Sequence, residues 1–476
     1  MGDPKGFITI ARKEGGYRPV KERIFDFGEV EQTLNQEDRR LQAARCMDCG
    51  VPFCHWGCPV GSKIPEWQDS LYKGKYDEAY RILHSTNSFP EITGRVCPAP
   101  CEKSCVLNIH EEPVTIRENE AATVETAFEM GLITANPPKI RTGKKVAVIG
   151  SGPAGLSAAD LLNKAGHTVT VFEKNDAIGG LLRYGIPDFK LAKNVIDRRL
   201  ALFVDEGIIF RTNTCVGKDI SKEQLLEEFD AVILAVGAEQ PRDLPVEGRD
   251  LKGVYFAMEF LTQQNKLVAG QDIPEEERIQ AKGKKVLVIG GGDTGSDCVG
   301  TSIRQKAANV LQIEILPKPP EKRENGNPWP YWPNTLRTSS SHLEGCERRW
   351  SLSTKRLTGE NGEVRQAEIV QVEWSKDQNG RWQMNEVPGT TEIIDVDLVL
   401  LSMGFTQPVH AGLLETLGVE LDQRGNVKVN KFKQTSVSKI FAAGDAEKGA
   451  SLVVHAIEAG KQAAAGVDAF LNGMSV

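Results

Sequence analysis

Two stretches of this chain repeat one pattern: KKVAVIGSGPAG from Lys144 and KKVLVIGGGDTG from Lys284. Each begins as an apolar strand-like run and turns on glycines. A helical stretch follows (LSAADLLNKAGH and SDCVGTSIRQKA), then a second apolar run (TVTVFEK and NVLQIEIL). Such alternation demands a parallel sheet covered by helices, because parallel strands can be joined only by crossovers. With 476 residues the chain is too long for one core. The two units therefore predict two related folds.

In the first unit Gly150, Gly152 and Gly155 form GxGxxG directly after the strand. Gly150 allows the tight turn, Gly152 lets a pyrophosphate approach the backbone, and Gly155 lets helix and strand pack closely. Pro153 and Ala154 open a helix whose free N–H groups and positive dipole end suit phosphates. Glu173 ends the second strand, where a carboxylate accepts hydrogen bonds from ribose hydroxyls. The second unit has Gly290, Gly292 and Gly295, with Asp293 and Thr294 opening its helix. Its second strand is expected to run to about Leu316 with Glu314 inside it, so the ribose acid is missing. Lys318, Lys322 and Arg323 follow. Cations without the acid favour a 2′-phosphate, hence NADPH over NADH, although Glu321 and Glu324 among them equally suit a solvated loop.

Two dinucleotide folds suggest a flavoprotein with FAD in the first and NAD(P)H in the second. The expected fold class is α/β: two Rossmann-like dinucleotide-binding domains preceded by a mostly helical domain. The boundaries expected are 1–140 for the helical domain, 141–255 and 406–476 for the two parts of the FAD domain, and 256–405 for the NAD(P)H domain. Three stretches resemble the two-dinucleotide flavoprotein superfamily: DAVILAVGA with Gly237, DLVLLSMGFTQP, and IFAAGDA with Gly444 and Asp445. The loop GGLLRYGIPDFKL, with Gly180 and Leu181, is a candidate flavin neighbour. A helix beginning near SLVVHAIEAG is expected to aim its N-terminus at the flavin, with His455 packed inside.

The cysteines set the second constraint. Seven of the ten fall in C-x2-C-x4-C-x3-C-P from Cys46 through Cys49, Cys54 and Cys58, then C-x3-C-x3-C through Cys97, Cys101 and Cys105. Closely spaced thiols in a reducing compartment bind metal or do redox chemistry. Seven is awkward for disulfides, which pair, and for two zinc ions, unless His55 or His110 fills a gap. Iron–sulfur clusters also take thiolates, and a cysteine before proline can ligate the second of two clusters, as Cys58 before Pro59 would. A flavin beside them favours clusters, because zinc carries no electrons. Zinc stapling of an assembly module stays the alternative. Cys215, Cys298 and Cys346 stand alone and read as inert.

A net charge of −7 argues against nucleic acid as partner. No run of eighteen apolar residues and no apolar leader core is present, so no membrane association and a cytoplasmic location are expected. The loop NPWPYWP, residues 327–333, permits neither helix nor interior strand.

With these parts in place, the chain resembles the small (beta) subunits of bacterial glutamate synthases over its full length. The resemblance rests on CMDCGVPFCHWGCPVGSKIPEW, FPEITGRVCPAPCEKSCVL, PVTIRENEA, GGLLRYGIPDFKL, NPWPYWP and both glycine turns. Related modules occur in dihydropyrimidine dehydrogenase and in an NADH-dependent ferredoxin:NADP oxidoreductase, and either of those activities is the alternative function. The resemblance implies two [4Fe–4S] clusters, one on Cys46, Cys49, Cys54 and Cys105, the other on Cys58, Cys97, Cys101 and Glu120. It further implies electron transfer from NAD(P)H through FAD and the clusters to a large (alpha) subunit. That partner would make glutamate from glutamine and 2-oxoglutarate. Residue 2 is Gly rather than Cys, so glutamine chemistry is expected in the partner.

Overall fold

The structure is a computed structural model that describes residues 2–474. Its first sheet has five parallel strands in the order Ile440–Ala442, Ala231–Leu234, Lys145–Ile149, Thr168–Phe172, Ile209–Arg211. Val146, Ala147 and Val148 at its centre are fully buried, because helices cover both faces. The second sheet repeats the arrangement: Val254–Phe256, Leu398–Leu401, Lys285–Ile289, Asn309–Glu314, Glu347–Trp350. Even the register recurs, with Ile149 opposite Phe172 in one fold and Ile289 opposite Ile313 in the other.

The chain crosses between folds twice, and the crossings pair as short antiparallel strands, Gln240–Pro241 against Phe405–Gln407. Val254–Phe256 lies wholly in the second sheet, so a boundary at 255/256 cuts through a strand. Three residues directly after PVEGRDLKG carry too little periodicity to betray it. Between Glu347–Trp350 and Leu398–Leu401 an antiparallel sheet is inserted, built from Leu352–Glu360, Glu363–Lys376, Trp382–Glu386 and Glu392–Asp395. It had no counterpart in the sequence reading.

The N-terminal region is helical. The stretch from Ile64 forms two helices, Ile64–Tyr72 and Tyr76–His84, because Gly74 between them takes φ +72°. Trp67, Leu71 and Ala79 are completely buried as their spacing suggests, while Tyr72 is only half-buried.

Three side chains lock this region to the second fold. Arg23 Nε donates to Glu344 Oε1 at 2.7 Å and Arg304 Nη1 to Glu344 Oε2 at 2.5 Å, with all three residues buried. The two nucleotide folds are joined by the loop GGLLRYGIPDFKL, whose Lys190 pairs with Asp297 of the helix Asp293–Arg304. Phe189 of the same loop stacks under the Arg304 guanidinium, 3.9 Å from its ring centroid. Removing one member of a buried ion cluster leaves the rest uncompensated. Glu344→Ala is therefore expected to cost ~3–5 kcal/mol in urea unfolding, with a smaller loss in Glu344→Gln, which keeps a hydrogen-bond acceptor.

Candidate functional site

Gly150 takes φ +102° and donates its N–H to Phe172 O at 2.9 Å, turning the chain at the strand end. A Cβ on Gly155 would stand 2.1 Å from Gly150 O, so helix and turn touch backbone to backbone. Gly152 differs: its φ is −68°, and a Cβ there meets nothing within 4 Å. The turn thus opens on free space before the N-terminus of the helix Pro153–Lys164, a cradle that fits a pyrophosphate.

Around this turn the structure gathers several residues singled out above. Glu173 is buried, and its Oε2 accepts Ser151 Oγ at 2.6 Å while Oε1 accepts Asn175 Nδ2 at 2.7 Å. Gly179 donates its N–H to Ser151 Oγ at 2.9 Å, and a Cβ on Gly180 would lie 2.9 Å from Gly152 Cα. The loop carrying Gly180 and Leu181 therefore seals one side. Gly237 follows the strand Ala231–Leu234 with φ +71°. On the other side a Cβ on Gly444 would meet Ala154 Cβ at 2.7 Å. Burial pushes the neighbouring Asp445 carboxyl up, and Ser451 Oγ donates to it at 2.6 Å. The helix Val453–Leu471 crosses Pro153–Lys164 so closely that a Cβ on Gly460 would stand 2.2 Å from Ala154 O. His455 is exposed rather than packed, because Val454 and Ala456 take the inward side.

The second turn is built alike. Gly290 takes φ +123° and donates to Ile313 O at 2.9 Å, a Cβ on Gly295 would stand 2.3 Å from Gly290 O, and a Cβ on Gly292 would meet nothing within 4 Å. Asp293 and Thr294 form the first turn of the helix that follows. A carboxylate does end the second strand. The strand stops at Glu314, one residue past the Ile289–Ile313 pair, as Glu173 follows the Ile149–Phe172 pair. Ile315 and Leu316, whose apolar character suggested a longer strand, are exposed loop residues. Glu314 Oε2 accepts the Gly291 N–H at 2.6 Å, matching the Ser151 N–H on Glu173 Oε2 at 3.3 Å. Lys318 and Lys322 are exposed. Arg323 turns instead to its own loop, its Nη1 donating to Asn327 O at 3.1 Å and Tyr331 O at 2.8 Å.

The seven clustered thiols line two separate cavities. Cys46, Cys49, Cys54 and Cys105 face one with otherwise apolar walls, including Phe53 and Ile64. Cys58, Cys97, Cys101 and Glu120 face another, which Arg117 and Val454 also line. Burial pushes every one of these thiols up, Cys46 and Cys97 to about 12. Burial likewise raises the Glu120 carboxyl to about 7, and Thr93 Oγ1 hydrogen-bonds its Oε1. Among the described residues no three Cys, His, Asp or Glu side chains close on the point a single ion would occupy. Four thiols on the first cavity, and three with a carboxylate on the second, make two donor sets of the kind that iron–sulfur clusters take. Val454 on the second cavity belongs to the helix that crosses the first glycine turn, so the two sites share one element.

Comparison with known proteins agrees with this architecture. Residues 144–460 match the family described as pyridine nucleotide-disulphide oxidoreductase. Residues 23–132 match dihydropyrimidine dehydrogenase domain II, 4Fe-4S cluster. The glutamate synthase [NADPH] small chain of Mycobacterium tuberculosis is 49% identical over 100% of this chain and 97% of its own length. The chain belongs to the glutamate synthase small-chain family.

Related sequences occur both as separate small chains and within a longer protein. In Schizosaccharomyces pombe, the glutamate synthase [NADH] is 46% identical over 98% of this chain, which spans only 23% of that protein. FprA from Mycobacterium tuberculosis, at 19% identity, shares the fold with a TM-score of 0.56, covering 69% of this chain and 85% of that one. The chain is an NAD(P)H-dependent FAD oxidoreductase with an iron–sulfur domain and an electron-input role. Among the described residues no helix is long and apolar enough to cross a membrane.

The two glycine classes give opposite variants. Gly152→Ala should leave folding intact and weaken FAD binding about ten-fold or more (~1.4 kcal/mol), read by flavin titration of the stripped protein. Gly155→Ala should instead lower stability by ~1–3 kcal/mol through overpacking against Gly150.

Proposed function

We propose that this chain is the electron-input subunit of a glutamate synthase. It oxidises NAD(P)H at FAD and passes electrons through two [4Fe–4S] clusters to a large subunit, which makes glutamate from glutamine and 2-oxoglutarate. The observation that carries the reading is the helix Val453–Leu471, common to the first glycine turn and the second thiol cavity.

When bound, FAD supplies a two-electron hydride acceptor able to release electrons singly, and the clusters supply one-electron carriers. The protein's part is to hold and orient. Gly150, Gly152, Pro153, Ala154 and Gly155 would cradle the flavin pyrophosphate, and Glu173 would meet its ribose. Gly180, Leu181, Gly237, Gly444 and Asp445 would border the rest of the cofactor. Gly290, Gly292, Asp293, Thr294 and Gly295 would take the nicotinamide coenzyme. Cys46, Cys49, Cys54 and Cys105 would hold one cluster, and Cys58, Cys97 and Cys101 with Glu120 the other. Arg117 on the second cavity offers a fixed positive charge to a group that three thiolates and a carboxylate make anionic.

Hydride transfer depends on alignment more than on acid or base, so no side chain is assigned a proton-transfer role. Coenzyme choice falls to opposed charges: Glu314 suits a free 2′-hydroxyl, whereas Lys318 and Lys322 suit a 2′-phosphate.

Three outcomes test this reading. A complex purified anaerobically with its partner should oxidise NADPH or NADH only when glutamine and 2-oxoglutarate are both supplied; turnover on uracil or ferredoxin instead would contradict the assignment. Glu120→Ala should retain flavin and lose about half of the acid-labile sulfide, as one cluster of two is lost. Glu314→Gln should raise kcat/KM for NADPH relative to NADH about ten-fold, the worth of ~1.4 kcal/mol of relieved repulsion.

A further inference from the structure

The loop NPWPYWP belongs by sequence to the second nucleotide fold, yet it lies on the iron–sulfur region. Trp329 Nε1 donates to Cys105 O at 3.3 Å, and its ring sits 4.6 Å from that of Phe53, centroid to centroid. Cys105 and Phe53 both line the first thiol cavity. Beside it Ser104 Oγ donates to Pro330 O at 3.2 Å, and Tyr331 meets the Trp56 ring edge-on at 5.7 Å. The loop is held in this shape from within. Arg323 Nη1 binds the carbonyls of Asn327 and Tyr331, Asn327 Nδ2 donates to Trp332 O at 3.0 Å, and Asn327 Oδ1 accepts the Asn334 N–H at 2.8 Å. An indole docked across more than two hundred residues of sequence, on the backbone of one cavity-lining cysteine and the side chain of the residue before another, covers that wall of the cavity.

We propose that Trp329 is a shield and positioning residue for the cluster of the first cavity, contributed by the nucleotide fold. The inference rests on the reading that this cavity holds a cluster. Two physical effects follow. The ring excludes water and oxygen from the wall that Phe53 and Cys105 form. The N–H draws electron density from the Cys105 carbonyl, which favours the reduced cluster, since hydrogen bonds near the sulfurs and solvent exposure both tune cluster potentials. The same contact fixes the nucleotide fold against the iron–sulfur region at a second point besides the Arg23–Glu344–Arg304 cluster.

The test compares Trp329→Phe and Trp329→Ala with the unaltered protein, each prepared anaerobically. Iron release to a ferrous chelator in air and a redox titration followed by electron paramagnetic resonance are the readouts. The first-cavity cluster is identified as the signal that Cys49→Ser perturbs. Trp329→Ala should release the iron of that cluster about ten-fold faster or more, while the second cluster and the flavin are unaffected. Trp329→Phe keeps a ring over Phe53 but has no N–H, so it should hold its iron and show a lower midpoint for that cluster alone. Unchanged release and unchanged midpoints overturn the proposal, as does an equal change in both clusters and the flavin, which marks a general loosening of the fold. If Trp329→Ala does not fold, the midpoint in Trp329→Phe decides. Unaltered protein with flavin but no iron would overturn the cluster reading itself, an outcome distinct from either variant result.

Discussion

The N-terminal region depends on gathering seven thiols round two cavities, Cys101 and Cys105 buried and the other five half-buried. Each lines one of two cavities, and burial pushes every one of them above its ordinary value. A buried thiol is neutral and inert unless something positive stands beside it. An iron–sulfur core supplies that charge and deprotonates its ligands, so that burial, a penalty for the bare thiol, becomes a means of setting potential and excluding water. With clusters bound, the apolar shell of Trp67, Leu71, Ile64 and Phe89 would serve the redox site as well as the core.

That region is bound into the enzyme from two sides. Toward the first nucleotide fold, Val60, Phe89 and Ile92 share one core with Ala154, Leu156 and Val454, and Lys461 Nζ donates to Thr86 O at 2.7 Å. Toward the second, Arg23, Glu344 and Arg304 form a buried charge cluster, and the proline-rich loop reaches back over Cys105. Electrons moving singly need carriers held at fixed separations. Shared helices and buried ion pairs hold them more firmly than a flexible linker would.

The parts of the fold legible in the sequence are those that chemistry fixes locally. The strand–glycine–helix units are legible because Gly150, Gly155 and Gly290 meet steric demands no other residue meets. The cysteine spacing is legible because ligands must be thiols. Ile315 and Leu316 look like strand; the pairing that ends the strand at Glu314, two residues earlier, exists only once the sheet is formed. His455 was placed inside the helix by apolar neighbours that in fact take the inward side. The strand Val254–Phe256 and the contacts of Arg23 and Trp329 bridge long stretches of chain, and no local pattern encodes them.

The central claim is that the two thiol cavities carry inorganic iron sulfide beside a flavin. Native mass spectrometry of the anaerobically purified chain tests it most directly. The account predicts a species heavier than the polypeptide by one FAD and two [4Fe–4S] clusters. A species carrying flavin with zinc, or flavin with no sulfide at all, would contradict it.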